Sequence, residues 1–124
     1  NSRLKATMVF HINHSNEINE AFVNALEPLK IARIPLFNQS VLLKDINDDA
    51  STLIQLSETM FDAGIIPYYL HLFDPVQGAA HFDVKEEKAV KIVKEMLKIL
   101  PGFLMPKLVR EIAGQTNKTP INLT

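Results

Sequence analysis

Two kinds of hydrophobic pattern alternate along the chain. Nearly continuous apolar runs predict strands that are buried on both faces, because such strands have no polar face to show. Between them, apolar residues recur at every third or fourth position, which is the spacing of one helix face. The pattern predicts strands over 6–12, 34–43, 65–73 and 103–112, and helices over 15–29, 50–63 and 85–100.

Capping and helix-breaking residues set the limits of these helices. Ser15 or Asn16 is the expected N-cap of the first helix, and Pro28 is expected to kink that helix or end it early. Gly64 fits the position just past the second helix, and Pro101 stops the third. Helical connections of this length imply parallel strands with right-handed crossovers, so the predicted fold class is α/β.

The predicted sheet is incomplete in this chain. Closing a barrel takes about eight strands, and the first strand would expose an apolar edge if the chain folded alone. We therefore expect residues 1–124 to form one domain that is a portion of a larger (βα) barrel, with association of two copies as the alternative. The first residue is Asn1 rather than methionine, which also favours a piece of a longer protein.

Polar residues that are unusual in buried strands gather near the predicted carboxyl ends, where α/β barrels hold their functional groups. They are His11, Asn13 and His14 at the end of the first strand, Asn38, Gln39 and Ser40 within the second, His71 and Asp74 at the third, and Glu111 at the fourth. The residues alone therefore indicate a binding or catalytic site at one barrel mouth, and they do not name a reaction.

Several of these residues have a structural interpretation beside the functional one. His11 and His14 could form a metal pair, His11 could contact a ligand or cofactor, or both could only form hydrogen bonds within the loop. Asp74 precedes a proline and is either a turn residue or a functional carboxylate. By composition Lys118 is a solvated lysine, because Asn117 stands where a phosphate-binding loop would need its second glycine.

Composition excludes several classes of function. Hydrophobic residues make up 47% of the 124 residues and charged residues 22%, with a net charge of −1, so the chain has no basic footprint for nucleic acid. No apolar run approaches the roughly 20 residues of a membrane helix, and the N-terminal segment does not resemble a signal peptide, so we expect a cytoplasmic protein. The absence of cysteine excludes disulfides, thiolate metal sites and cluster ligands from this chain.

Four segments carry a family resemblance: residues 11–17 (HINHSNE), 38–43 (NQSVLL), 67–71 (PYYLH) and 77–82 (QGAAHF). Taken together, in this order and at near-identical spacing, they resemble the C-terminal part of the lysine 2,3-aminomutase family. Members of this family are radical enzymes that use S-adenosylmethionine, a [4Fe–4S] cluster and pyridoxal phosphate. Residues 70–71 (LH), segment 77–82 and residues 107–112 (KLVREI) favour the bacterial branch that makes β-lysine for modification of elongation factor P.

The resemblance implies roles for five residues. Lys118 aligns with the lysine that forms the Schiff base with pyridoxal phosphate, so it is the implied catalytic and cofactor-binding residue. Asp74 and Glu111 match carboxylates that bind the side-chain ammonium of the substrate lysine, and Glu111 stands where free-standing aminomutases have aspartate. His11 and Gln39 align with residues that line the adenosyl site, and no metal ligand is expected in this chain.

The resemblance implies that the full-length protein is an isomerase that moves the α-amino group of L-lysine to the β-carbon. The family's Cys-x-x-x-Cys-x-x-Cys motif is not in this chain, so the chain alone is expected to be inactive. His71 stands where free-standing members have tyrosine, a departure shared with the elongation factor P branch. We expect L-lysine as the small-molecule partner, a place in the elongation factor P modification pathway, and a homo-oligomer.

Two alternatives remain open on the sequence. The chain could be a non-catalytic half-barrel that binds a partner or ligand, or part of an aminomutase that acts on another amino acid. Two acidic residues at the substrate position favour lysine, because they attract a side-chain ammonium and would repel a side-chain carboxylate.

Overall fold

A computed structural model describes residues 6–72, 84–110 and 119–121. The strands in these ranges are β1 (Met8–Phe10), β2 (Leu36–Leu42), β3 (Ile66–Leu72), β4 (Lys107–Arg110) and β5 (Thr119–Pro120). The helices are α1 (Glu20–Ala25), α2 (Glu27–Ile31), α3 (Ala50–Asp62) and α4 (Glu86–Leu97), and there are short 3₁₀ turns at Ser15–Glu17 and Gly102–Leu104.

The strands form one sheet in their chain order, so each strand lies beside the one that precedes it. β1 to β4 are parallel, and β5 pairs antiparallel with β4. The predicted α/β class with parallel strands is confirmed, and four neighbouring parallel strands are consistent with a portion of a (βα) barrel. Within the three described ranges, no helix is long and apolar enough to cross a membrane.

The two faces of the sheet differ in what covers them. Side chains along β2 alternate between buried and half-buried positions. The buried set, which includes Leu36 and Leu42, belongs to the core that α3 and α4 cover. We call the opposite side of the sheet the open face. It carries Phe37, Gln39 and Val41 from β2, Tyr69 and His71 from β3, and Lys107 and Val109 from β4.

The predicted apolar helix faces are confirmed. The buried residues of the second and third predicted helices include Leu53, Leu56, Met60, Ala63, Ala89, Val93, Met96 and Leu100. Asp49 caps α3, where its carboxylate accepts a hydrogen bond from the Thr52 N–H at 2.9 Å. Gly64 follows this helix with a φ of 88°, a left-handed conformation that glycine adopts without steric cost.

The first strand does not have the predicted burial on both faces. β1 covers only Met8–Phe10, and Met8 and Val9 are 38% and 41% exposed. The reason is its place in the sheet, because β2 is its sole strand neighbour among the residues that the structure describes. The apolar sequence of β1 therefore marks an edge of the described sheet and not its centre.

The first helix differs from its prediction at its start and agrees with it at its break. Neither Ser15 nor Asn16 is an N-cap; His14 caps the 3₁₀ turn and Asn19 caps α1. The break expected from Pro28 is confirmed, because α1 ends before it and α2 carries it in the first turn, where a missing N–H costs nothing.

The last predicted helix and strand are both shorter than expected. α4 ends at Leu97, three residues before the predicted end at residue 100. The extended stretch predicted from residue 103 begins as the 3₁₀ turn Gly102–Leu104, and β4 starts only at Lys107. The Pro101 stop is confirmed, but the backbone makes one further tight turn before it becomes extended.

Candidate functional site

The open face brings β2 and β3 side chains together through an irregular register. The pairing shifts between Asn38 and Gln39, so that Asn38 lies opposite Pro67 while Gln39 lies opposite Tyr69. Tyr68 is the extra residue of this bulge. Bulges of this kind redirect side chains and are common beside functional sites.

Gln39 and His71 form a side-chain pair on the open face. The Gln39 Oε1 and the His71 Nε2 are 3.1 Å apart. An amide oxygen only accepts hydrogen bonds, so with Oε1 facing the ring it is the Nε2–H of the imidazole that donates. His71 is 8% exposed, although it lies on the side of the sheet that α3 and α4 do not cover. The pair therefore combines a buried donor with a half-buried amide that faces the predicted barrel interior.

Aromatic rings continue across this face from β2 to β3. Ring centroids are 5.5 Å apart for Phe37 and Tyr68, 4.3 Å for Tyr68 and Tyr69, and 5.8 Å for Tyr69 and His71. A hydrogen bond with Tyr69 favours the protonated hydroxyl of Tyr68 and raises the pKa of Tyr68 above its usual value. The Tyr68 phenol is therefore neutral at physiological pH, and this part of the face presents aromatic rings and hydroxyls.

The backbone beyond β1 is held by side chains of β2. Asn38 accepts a hydrogen bond from the Ile12 N–H at 2.8 Å and donates one to the Ile12 carbonyl oxygen at 3.0 Å. The Ser40 hydroxyl donates to the same carbonyl oxygen at 2.8 Å. These bonds replace the strand pairing that ends at Phe10, and they fix the chain directly after His11.

Two further asparagines fix the same loop from the other side. The Asn13 side-chain oxygen accepts from the Val41 N–H at 2.8 Å. Asn47, which is fully buried, donates to the carbonyl oxygens of Asn13 and Val41 and accepts from the Leu43 N–H, at 2.7–2.9 Å. The loop after β1 is therefore tied to the carboxyl end of β2 by asparagine side chains.

His14 and Glu17 act as caps. The His14 Nδ1 accepts a hydrogen bond from the Asn16 N–H at 3.1 Å, and the Glu17 carboxylate accepts from the Asn13 and His14 N–H groups at 2.8 and 3.0 Å. This is a capping box with histidine in the usual place of serine or threonine. Of the three interpretations of the histidine pair, loop hydrogen bonding therefore holds for His14.

His11 is exposed and forms no hydrogen bond with any residue in the described ranges. It follows β1 directly and precedes the pinned Ile12, so its backbone is fixed while its side chain is available. In the same ranges, no group of three or more histidine, cysteine, aspartate or glutamate side chains could hold a metal ion. His11 directly follows Phe10, whose partner in β2 is Asn38, the residue before Gln39.

Three of the predicted site residues lie outside the described residues. These are Lys118, Asp74 and Glu111, together with segment 77–82. The sequence had not assigned structural roles to Asn13, Asn38, Ser40, Asn47 and Glu17. The first three are conspicuous as polar residues near strand ends, and Asn47 is the one whose position in a polar loop gave no signal.

Known proteins of similar sequence show which family this chain belongs to. No protein-family model matches the chain. The L-lysine 2,3-aminomutase of Escherichia coli is 52% identical over 122 residues, which are 98% of this chain and 36% of that protein. The chain belongs to the lysine 2,3-aminomutase family. Within that family, the L-lysine 2,3-aminomutase of Haemophilus influenzae is 52% identical over 95% of the chain, and that of Clostridium subterminale is 33% identical over 90%.

The chain spans about a third of the length of the curated aminomutases it matches, and the match covers their C-terminal part. The family resemblance expected from the four sequence segments is confirmed at this level. The absence of cysteine agrees with a family member whose cluster ligands are not in the matched part.

Proposed function

We propose that this chain is the C-terminal part, residues 1–124, of the catalytic barrel of a lysine 2,3-aminomutase, an isomerase that converts L-lysine to β-lysine. The observation that carries the proposal is 52% identity over 98% of the chain to a protein named for that activity. The described fold supports it, because polar side chains gather toward the carboxyl ends of parallel strands, where barrel enzymes act.

The described residues fit an adenosyl group. Ribose hydroxyls and ring nitrogens form hydrogen bonds, and Gln39 and His11 supply an amide and an exposed imidazole. We assign these two residues to the adenosyl site of S-adenosylmethionine. When bound, S-adenosylmethionine with its [4Fe–4S] cluster supplies hydrogen-atom abstraction, and pyridoxal phosphate supplies the chemistry that lets an amino group migrate.

The asparagine ties give this site its rigidity. Ile12 and Asn13 are each held by side chains of other elements, so the backbone on the carboxyl side of His11 cannot move independently of β2. A histidine held in this way loses little conformational entropy when a ligand binds. In the proposed enzyme, Asn38 and Asn47 thus orient a ligand-binding residue without touching the ligand.

The remaining roles rest on the resemblance. We propose that Lys118 holds pyridoxal phosphate through its ε-amino group, which also lets the cofactor exchange with the amine of the substrate. We propose further that Asp74 and Glu111 bind the side-chain ammonium of L-lysine, because two carboxylates favour a cation.

The experiment that tests the proposal uses the whole protein that contains this chain, loaded with cluster and cofactors. L-lysine is expected to give β-lysine, detected by mass spectrometry after derivatisation. Borohydride reduction is expected to attach pyridoxal phosphate covalently to Lys118. The Lys118→Ala variant should lose both the product and the covalent attachment, whereas Lys98→Ala, at an exposed lysine after α4, should keep both.

The proposal fails if the loaded protein leaves L-lysine unchanged, or if Lys118→Ala still retains the cofactor covalently at the wild-type level. Conversion of another amino acid in place of lysine would support the alternative substrate and contradict the roles of Asp74 and Glu111. Sequencing the coding DNA upstream of Asn1 is a first check, because a Cys-x-x-x-Cys-x-x-Cys motif in the same reading frame is required.

We also propose that the product serves the modification of elongation factor P in the cytoplasm, and that the protein is a homo-oligomer. Segments 77–82 and 107–112 and the histidine at position 71 support the first point through the resemblance. Deleting the gene should remove the β-lysyl mass from elongation factor P, and sedimentation should give a multiple of the monomer mass.

A further inference from the structure

The contact between Gln39 and His71 carries an inference about how the proposed site is organised. The two residues are not direct partners in the sheet: Gln39 lies opposite Tyr69, and His71 lies opposite Val41. They meet diagonally across β2 and β3, which long side chains on one face can do. The register shift between Asn38 and Gln39 sets this diagonal, so the contact depends on the bulge.

The contact selects one of two orientations of the Gln39 amide. A glutamine amide has nearly the same shape in both orientations, but it exchanges a donor for an acceptor when it turns over. With the Gln39 Oε1 facing His71 at 3.1 Å, the donor is the Nε2–H, which the neutral Nε2–H imidazole and the imidazolium both carry, whereas an Nδ1–H imidazole would need the turned amide. The amide NH₂ of Gln39 is then directed away from His71 as a donor.

His71 is itself well fixed. It is 8% exposed, its ring lies edge-on to Tyr69 at 5.8 Å, and its partner on β4 is the buried Val109. A ring packed in this way cannot change its rotamer without moving its neighbours. The half-buried glutamine is therefore positioned by a group that is more rigid than itself.

We propose that His71 is a positioning residue, which holds the Gln39 amide so that its NH₂ donates to a hydrogen-bond acceptor of the adenosyl group. His71 does not contact the ligand in this role; it acts through Gln39. The choice of ligand rests on the proposed function, whereas the orientation of the amide rests on the contact itself.

Three substitutions separate this role from general packing. His71→Gln keeps a donor at the position of Nε2, His71→Asn places its donor nearer to Nδ1, and His71→Met fills similar volume without a donor. We expect the dissociation constant for S-adenosylmethionine to rise about tenfold in the methionine and asparagine variants, and to stay within about threefold in His71→Gln. The constant is measured by calorimetry on the whole loaded protein without reductant, so that no turnover occurs.

A double-mutant cycle with Gln39→Leu tests whether His71 acts through Gln39. If it does, His71→Met weakens binding in the wild-type background and adds less than about twofold in the Gln39→Leu background. The proposal is overturned if the two substitutions are additive, or if His71→Gln binds as weakly as His71→Met while both variants unfold at the wild-type temperature. Absence of binding by the loaded wild-type protein would instead overturn the proposed function, and the ligand assigned to Gln39 with it.

Discussion

Asn38 pairs with Ile12 as a strand would: its side-chain oxygen accepts from the Ile12 N–H, and its side-chain nitrogen donates to the Ile12 carbonyl oxygen. Asn38 is only 1% exposed, so these bonds form where water is excluded. β1 has already ended at Phe10, and the asparagine extends the pairing by two residues beyond it. The first three predictions concern residues that fix this end of the sheet and the adjoining helix.

Substitution of Asn38 should destabilise the protein strongly. Asn38→Leu leaves the buried Ile12 N–H without its partner and the Ile12 carbonyl oxygen with Ser40 alone, and we expect the free energy of unfolding to fall by about 2–4 kcal/mol. Asn38→Asp should keep the acceptor but direct a second oxygen at the Ile12 carbonyl. Its cost in urea unfolding should therefore be larger at pH 7 than at pH 4, because the protonated acid can still donate. An equal cost at both pH values would contradict the assigned direction of these bonds.

Asn47 should be similarly sensitive although it lies in the loop after β2 and not in a strand. Asn47→Ala removes three hydrogen bonds at a fully buried position, and the expected loss of unfolding free energy is about 2–3 kcal/mol. The matched control is Asn24→Ala at an exposed position of α1, where alanine is the better helix former and stability should be unchanged or slightly higher. Similar losses in the two variants would show that the buried bonds of Asn47 contribute little.

Gly64 and Gly102 offer a matched pair of glycines. Gly64 has a φ of 88°, and a Cβ there would lie 2.8 Å from the Cε of Lys30, which is the flexible end of a side chain. The backbone conformation thus accounts for most of the expected loss of about 1–2 kcal/mol in Gly64→Ala. At Gly102 a Cβ meets no atom within 4 Å, so Gly102→Ala should leave the thermal midpoint nearly unchanged. A neutral Gly64→Ala would contradict the left-handed conformation.

The ion pair between Asp48 and Lys88 should give a pH-dependent contribution to stability. The Lys88 Nζ is 2.7 Å from the Asp48 carboxylate, and its hydrogen bond lowers the pKa of Asp48 below the ordinary 3.8. The pKa of Lys88 is raised above 10.5 by the same bond. Asp48 contributes fully above pH 3.8 and loses its contribution as the pH falls through its lower folded value. Lys88 contributes fully below pH 10.5 and loses its contribution as the pH rises through its higher folded value.

Asp48→Asn should therefore lower the thermal midpoint slightly and by a constant amount between about pH 5 and 9, because the pair is close to solvent. The difference from the wild type should disappear under strong acid. Lys88→Gln should behave in the same way at neutral pH, whereas Lys94→Gln, at an exposed position of α4, should have no such effect. A difference that persists below about pH 2 would mean that charge is not its cause.

The elements that follow from periodic spacing were predictable. α3 and α4 bury the residues that a period of 3.6 assigns to their inner faces. Asp49 caps the start of α3, and Gly64 follows its end, as these residue types predict. The exposure of β1 was expected only for a chain that folds alone, because its apolar sequence is the same whether or not a further strand lies beside it. The 3₁₀ turn before β4 was also missed, since Gly102 and the residues after it fit an extended segment equally well.

The candidate site was also predictable only in part. Side chains alternate between the two faces along a strand, so the sequence predicts that Gln39 lies on the opposite face from Asn38 and Ser40. Different roles for Gln39 and for these two neighbours were therefore predictable. The partners of Asn38, 26 residues away in the chain, were not, because long-range hydrogen bonds leave no local pattern. The contact of Gln39 with His71 depends on a bulge that was not predicted from the sequence. Lys118, Asp74 and Glu111 remain predictions from the family resemblance.

The order of the sheet has a consequence for how the protein is made. Among the described strands, each from β2 to β5 pairs with the described strand that precedes it in the chain. Translation supplies residues at about 5–20 per second, which is slow compared with the docking of one helix and one strand. The sheet can therefore grow one strand at a time from the ribosome, with each completed strand as the template for the next. A stall during synthesis would leave a shorter sheet of the same register rather than a misordered one.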